Sequence, residues 1–351
     1  MMFLVPFLVA VTISAVLTPL VRRLALRTGV VDQPGEKRKI HTRPIPYLGG
    51  IAIFAAFIIP VLALLPLSRR LGALLIGITV LLVVGVIDDI KKLNPWVKLG
   101  WQIGAAAITL CGGIGITSLT NPLGGTIDLT FGRFAVNWGS LQFHITPIGN
   151  LLSILWMVGL VNAINFLDGL DGLACGVSGI AAFIMFLLSV GPSVNQPEVA
   201  LIAIVLAGAT LGFLPYNFFP ARIFLGDGGA YFLGLTLALL STYSGGKLAT
   251  ISLVLGFTII DGIWTVLRRL YRHTSPFQAD RHHFHHLLLD AGLSQRLAVL
   301  VLYFVALVFG IIAVSSGSFA KLVSLVSLFV LMALAIAGLM LVSLRRTRME
   351  P

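Results

Sequence analysis

Long apolar runs separated by short polar loops make up most of the chain, and their spacing is the first structural signal. About 20 apolar residues cross a bilayer as a helix. Eleven stretches meet that measure, at approximately 3–20, 48–67, 71–88, 96–116, 150–166, 173–191, 198–214, 229–245, 249–268, 297–315 and 321–343. The pattern predicts an all-α polytopic integral membrane protein, a single transmembrane domain over 1–351 with about 11 transmembrane helices. Between the fourth and fifth runs lies the long segment 117–149. There, alternation in Thr126-Ile127-Asp128-Leu129-Thr130-Phe131 ahead of Gly132-Arg133 predicts a small extracytoplasmic β-hairpin.

Composition agrees with the pattern: 58% of residues are hydrophobic and 11% charged, with a mean hydropathy of +1.01. Such a chain is too apolar for a soluble globular protein. A net charge of +11 would suit nucleic acid, but the basic residues are confined to loops between apolar runs, so topology explains them and no nucleic-acid partner is expected. Cys111 and Cys175 have no metal-ligand or redox spacing. The first run lacks a basic leader and a small-residue cleavage site and reads as a retained span.

Nineteen of the 24 Lys and Arg fall on one side of the eleven runs, leaving Arg69, Arg70, Arg133, Lys247 and Lys321 on the other. The positive-inside rule then puts the N-terminus outside and the C-terminus in the cytoplasm. Among the acidic residues only Asp128 and Glu198 fall outside. Chemistry is therefore expected on the cytoplasmic face, in five loops at about 21–47, 88–96, 165–173, 215–229 and 269–296.

In the third loop, Asn162, Asn165, Asp168 and Asp171 recur at every third position. Steps of three turn a straight helix by about 60° backwards, so the four would fan over half its circumference. They converge on one ligand only if the helix ends near Asp168 and the chain turns at Gly169 and Gly172. Two Asp-Gly turns can simply link two helices, but ionisable groups at the bilayer centre cost about 2.5 to 3.5 kcal/mol each, which makes a cluster a site by default.

Asp88-Asp89 ends the third run, where the helix macrodipole disfavours carboxylates. Gly226-Asp227-Gly228-Gly229 opens the eighth; it offers backbone N–H groups and a carboxylate that can hold a metal against phosphates, or an N-capping Asp beside turn glycines. Asp261 lies seven residues before Arg268, about 10 Å deeper along a helix. It should face the bundle interior. The fifth loop concentrates His282, His283, His285 and His286 beside Asp280 and Arg281, suiting a transition metal or a phosphate and sugar clamp, zinc being the weaker option without cysteine. The first loop, with Lys37-Arg38-Lys39 and His41, is a topology anchor or an anion site. Carboxylates suited to Mg²⁺ and cations suited to phosphate together point to phosphoryl transfer at the membrane surface, with one substrate dissolved in lipid.

Asp88-Asp89, the run from Asn162 to Gly172, Phe224-Leu225-Gly226-Asp227-Gly228-Gly229 and Asp280-Arg281-His282-His283-Phe284-His285-His286 resemble, in order, the signature loops of the polyprenyl-phosphate N-acetylhexosamine-1-phosphate transferases, of glycosyltransferase family 4 type. The match runs from about Asp32 to His286. It implies a multi-pass protein of the bacterial plasma membrane that transfers a sugar 1-phosphate from a UDP-N-acetylhexosamine to undecaprenyl phosphate and releases UMP. Mg²⁺ is the implied cofactor, with Mn²⁺ an allowed replacement, and a homodimer is an allowed assembly. Asp227 would be the main Mg²⁺ ligand, helped by Asn165, with Phe224 stacked on the uracil. Asp168 and Asp171 would hold the nucleotide side, Asp168 counting with Asp88 and Asp89 as catalytic and Asn162 with Asp171 as substrate-binding. Asp88 and Asp89 match the pair that engages the lipid phosphate. Arg281, His283, His285 and His286 match the sugar and pyrophosphate loop, and Lys39 and His41 the first basic loop.

The Asp-Arg-x-His-x-His-His order and the eleventh run are more similar to the UDP-N-acetylglucosamine branch than to the phospho-N-acetylmuramoyl-pentapeptide transferases, which have ten spans and three consecutive histidines. The implied product is undecaprenyl-diphospho-N-acetylglucosamine, a first intermediate for O-antigen, teichoic acid or related glycans. Single displacement is favoured by a nearly dianionic acceptor, and a covalent aspartyl intermediate stays open. The rival class is an ion-coupled carrier, whose midplane site and internal repeats have no counterpart here.

Overall fold

The computed structural model describes residues 1–33, 44–138, 141–192, 194–243, 247–271 and 283–349. Helix α1 (Leu4–Thr28) leads through the strand pair β1 (Val31–Asp32) and β2 (Ile45–Pro46) into α2 (Gly49–Leu64), α3 (Arg69–Lys91) and α4 (Pro95–Cys111). Two antiparallel hairpins follow, β3 (Ser118–Thr120) with β4 (Thr126–Asp128) and β5 (Phe134–Trp138) with β6 (Leu141–Ile145). Next come α5 (Pro147–Leu167), α6 (Leu173–Val190), α7 (Pro197–Asn217) and α8 (Gly226–Tyr243). The chain continues through α9 (Leu248–Val254), α10 (Gly256–Tyr271), α11 (Phe284–Asp290), α12 (Gln295–Ser315) and α13 (Ser318–Met349).

Each of the eleven apolar stretches falls on a helix, the ninth on α9 and α10, which meet at 81°. By length and composition seven helices among the described residues can cross a membrane, or eight with the bent pair counted as one span. The shortfall from eleven lies in α2, α4 and α8, which are too short or too polar at one end for that measure. The protein is an all-α polytopic membrane protein. Where one hairpin was expected there are two, because Phe134-Ala135-Val136-Asn137-Trp138 alternates as well as the segment before it.

Helix starts follow local chemistry. Pro95, Pro147 and Pro197 occupy the first helical position of α4, α5 and α7, where a missing N–H is harmless. Ser68 accepts from Leu71 N to cap α3, and Asn94 from Trp96 N to cap α4. Helix α8 is buried at every position from Gly228 to Thr242 and forms the centre of the bundle, whereas α1, α12 and α13 turn broad apolar faces outward to lipid.

The first turn of α8 is gripped by α2 and α3 at backbone distance. A β-carbon on Gly85 would collide with the backbone of Gly228, and one on Gly50 with that of Gly229. Small residues let helices approach this closely in a membrane. Overpacking such a contact costs about 1–3 kcal/mol, which outweighs the roughly 1 kcal/mol that Ala gains over Gly in a helix. Gly85→Ala should therefore lower the thermal unfolding midpoint in detergent. Gly100→Ala in α4, with nothing within 4 Å of the added carbon, should leave it unchanged or raise it.

Candidate active site

The end of α3, the starts of α4 and α8 and the end of α5 meet at one end of the bundle, and their polar side chains interlock. Asp89 Oδ1 accepts from Asp227 N at 2.9 Å and Oδ2 from Gly228 N at 3.4 Å. The first N–H groups of a helix have no partner within it. Asp89 thus caps α8 from another helix, and its placement at the unfavourable end of α3 is offset by the favourable end of α8. Two amides of Gly226-Asp227-Gly228-Gly229 are thus taken by Asp89, and Gly228 and Gly229 pack against α3 and α2.

Asp88 is fully buried. Its Oδ1 accepts from Leu93 N at 2.7 Å, and its Oδ2 meets the Lys98 ammonium and, at 3.4 Å, the Tyr231 hydroxyl. The same ammonium lies 3.9 Å from Asp227 Oδ2. Lys98 is the residue that the sequence reading missed, having counted it only as a topology charge. Its signal was the Asn94-Pro95 start, which brings the first turn of α4 back beside Asp88.

The four polar residues of the 162–171 run go to four different places. Asn162 Nδ2 donates to Gln102 Oε1 on α4 at 2.7 Å. Asn165 Nδ2 donates to Asp227 Oδ1 at 2.7 Å. Asp171 Oδ2 accepts from Ala221 N at 2.9 Å and ties down the loop before α8. Helix α5 ends at Leu167, as Gly169 and Gly172 predicted, with Gly172 at φ +82° and its carbonyl held by the Tyr303 hydroxyl of α12. Asp168, in that turn, is half-buried and its carboxylate accepts no hydrogen bond among the described residues. Its burial, with the nearby charges of Asp227, Asp89 and Asp171, pushes its pKa well above the ordinary carboxylate value.

Phe224 is set by backbone pairing: its N–H donates to Pro46 O at 2.9 Å and its carbonyl accepts from Gly49 N at 3.0 Å. Its ring lies 5.8 Å from that of Tyr47, whose hydroxyl bonds to Asp32 and whose ring lies beneath the Lys92 ammonium at 5.6 Å. On the opposite side His283 Nδ1 bonds to Asp261 Oδ2 at 2.8 Å, so Asp261 faces inward as expected. His285 stacks parallel to His283 at 5.6 Å, with the His286 ring 4.4 Å beyond. Burial holds the His285 pKa well below its ordinary value, so the ring is neutral. Its Nε2 is buried against Gly169, with no partner among the described residues. Lys39, His41 and Arg281 lie outside the described residues. Among the described residues no three His, Cys, Asp or Glu are arranged to hold a metal ion.

The sequence model of glycosyl transferase family 4 matches residues 71–245. A probable undecaprenyl-phosphate N-acetylglucosaminyl 1-phosphate transferase of Bacillus subtilis is 35% identical over 334 residues, covering 93% of this chain and 88% of the relative. The chain belongs to glycosyl transferase family 4. Other family 4 relatives include a decaprenyl-phosphate N-acetylglucosaminephosphotransferase of Mycobacterium tuberculosis, 34% identical over 89% of this chain and 81% of its own. An undecaprenyl-phosphate alpha-N-acetylglucosaminyl 1-phosphate transferase of Pasteurella multocida is 33% identical over 85% and 82%. This family 4 member is thus a phosphosugar transferase of the membrane.

The Asp88–Lys98 pair yields a stability test. Removing one partner of a buried pair costs about 3–5 kcal/mol because the other charge is left unpaired. The partial exposure of Lys98 puts the expected loss for Lys98→Met at the low end. Asp88→Asn combined with Lys98→Met should recover part of the unfolding midpoint lost by Lys98→Met alone.

Proposed function

We propose that the protein transfers N-acetylglucosamine 1-phosphate from UDP-N-acetylglucosamine to undecaprenyl phosphate, giving undecaprenyl-diphospho-N-acetylglucosamine and UMP at the cytoplasmic face. The observation that carries this is the adjoining of two unlike sites. A groove of about 600 Å³ between α5 and the bent pair α9–α10 is lined by apolar residues apart from Asn162, and it reaches Phe166, the neighbour in sequence of Asn165, which holds Asp227. An apolar channel suits a polyprenyl chain, and the cluster suits its phosphate. The names of the relatives support the donor, and the nineteen-to-five division of basic residues supports the orientation.

In the reaction an oxygen of the lipid phosphate attacks the sugar-bearing phosphorus. The bond from that phosphorus to the bridging oxygen breaks, and UMP leaves with that oxygen. Asp227, partly exposed and oriented by Asn165, is the carboxylate suited to a divalent cation, with the open oxygens of Asp168 close by. Such a donor set fits Mg²⁺, which takes one or two carboxylates and completes its shell with water and substrate phosphate, so a three-residue cluster is not needed. When bound, Mg²⁺ would neutralise charge on the pyrophosphate. Lys98 adds a fixed positive charge, oriented by Asp88. Asp168 is the carboxyl free to take the proton that remains on the acceptor, whose second pKa is about 6. Asp88 and Asp89 are engaged in holding Lys98 and α8.

Purified protein in detergent, with Mg²⁺ and undecaprenyl phosphate, should release UMP from UDP-N-acetylglucosamine. Turnover of UDP-N-acetylmuramoyl-pentapeptide in its place would overturn the donor assignment. In the same assay Asp227→Asn should lower the initial rate by about 10²- to 10³-fold, the loss typical of one electrostatic stabiliser, and weaken the dependence on Mg²⁺. Asp89→Asn should mainly lower the unfolding midpoint, and an unaltered Mg²⁺ response in Asp227→Asn would place the metal elsewhere.

A further inference from the structure

Asp261 is a buried carboxylate in a bent span that the proposed reaction leaves without a task. It sits on α10, and both of its oxygens are committed to the histidine loop. Oδ2 bonds to His283 Nδ1 at 2.8 Å, and Oδ1 accepts from Phe284 N, the first amide of α11, also at 2.8 Å. Thr265, one turn along on the same face of α10, approaches His283 Nδ1 at 3.5 Å. The imidazole is held from both sides, by Phe166 at 5.6 Å and by the parallel ring of His285 at 5.6 Å. Its Nε2 has no hydrogen-bond partner among the described residues.

We infer that Asp261 is a positioning residue, which fixes His283 with its proton on Nδ1 and presents Nε2 to the phosphate and sugar of the donor. The inference rests on the proposed reaction for its substrate and on the hydrogen-bond geometry for its mechanism. Which imidazole nitrogen carries the proton is set by the bond that the other one makes, and a carboxylate on Nδ1 demands N–H there. The amide of Phe284 makes the demand strict: the site needs two acceptors, one per oxygen. The opposite face of α10 carries Ile259, Ile263 and Val266, which line the apolar groove. Phe166 belongs to both, lining the groove and packing on His283. One helix thus forms the wall of the acceptor groove and the mount of a donor-side histidine.

Asp261→Asn tests this because asparagine supplies one acceptor and one donor. With Oδ1 kept by Phe284 N, the amide NH₂ faces Nδ1, and the imidazole proton must move to Nε2. Ring-nitrogen NMR of protein labelled with ¹⁵N-histidine in detergent, assigned with His283→Gln, should show Nδ1 protonated in the wild type and the proton on Nε2 in Asp261→Asn. In the UMP-release assay Asp261→Asn should lose about 10- to 100-fold in kcat/KM, the range typical of removing a residue that orients a functional histidine. In the His283→Gln background the same change should add no further loss, because both act through one ring. Losses that multiply, or an imidazole unchanged by Asp261→Asn, would reduce Asp261 to a structural residue. If the variant does not fold, the wild-type spectrum decides, since a His283 protonated only on Nε2 overturns the inference. A wild type that releases no UMP would sink the proposed reaction while leaving the tautomer result to judge Asp261.

Discussion

The carboxylate of Asp89, bridging the end of α3 and the start of α8, is the contact on which the rest of the site depends. Two helix ends of opposite polarity meet there, and a negative group between them satisfies backbone amides that no residue of α8 can reach. The approach is possible because Gly85 faces Gly228 and Gly50 faces Gly229, so the backbones touch where side chains would hold them apart. Once α8 is seated, Asp227 in its first turn has little choice of position. It faces Asn165 on one side and Lys98 on the other.

The acidic cluster is stable at a membrane edge because its members do not share one environment. Asp88 is buried and neutralised by Lys98, and Asp89 is spent on helix amides. Asp171 holds the loop that carries Phe224 toward β2. Asp227 is partly exposed, and the carboxylate of Asp168 accepts no hydrogen bond among the described residues. Burial and like charges act on Asp168 in the same direction, both raising its pKa. A cluster that reads as uniform in sequence is thus divided among unlike surroundings.

Much of this was legible from pattern. Apolar runs predicted the position of every helix but the short α11, and joined α9 and α10 in one run, because hydrophobic length is a strong constraint in a bilayer; Gly169 and Gly172 marked the turn after α5, although the four polar residues beside it do not converge. The residues that escaped did so for a common reason: their roles depend on contacts between elements far apart in the chain. Lys98 is one basic residue among many until α4 folds back on α3. The packing role of Gly228 and Gly229 shows only once the helices that press on them are in place. The separation of Asn162 from Asn165, one toward Gln102 and the other toward Asp227, is likewise invisible without α4 and α8. Span number was the least secure quantity, because α2, α4 and α8 are helices whose place in the bundle is set by packing more than by apolar length.

The placement of the groove explains why the histidine loop is anchored in a membrane helix when water-facing loops are available. A polyprenyl phosphate must present its head group from lipid, whereas a nucleotide sugar arrives from water, so the reacting atoms can meet only where both phases end. Rigid elements hold such a meeting point more closely than loops do, and near-attack geometry is sensitive to displacements of about 1 Å. Helix α10 borders lipid on the face that carries Ile263 and holds His283 on the face that carries Asp261. A shift of the groove wall therefore moves the imidazole with it. That coupling needs no conformational switch, because the groove wall and the mount of the imidazole are the same few turns of helix.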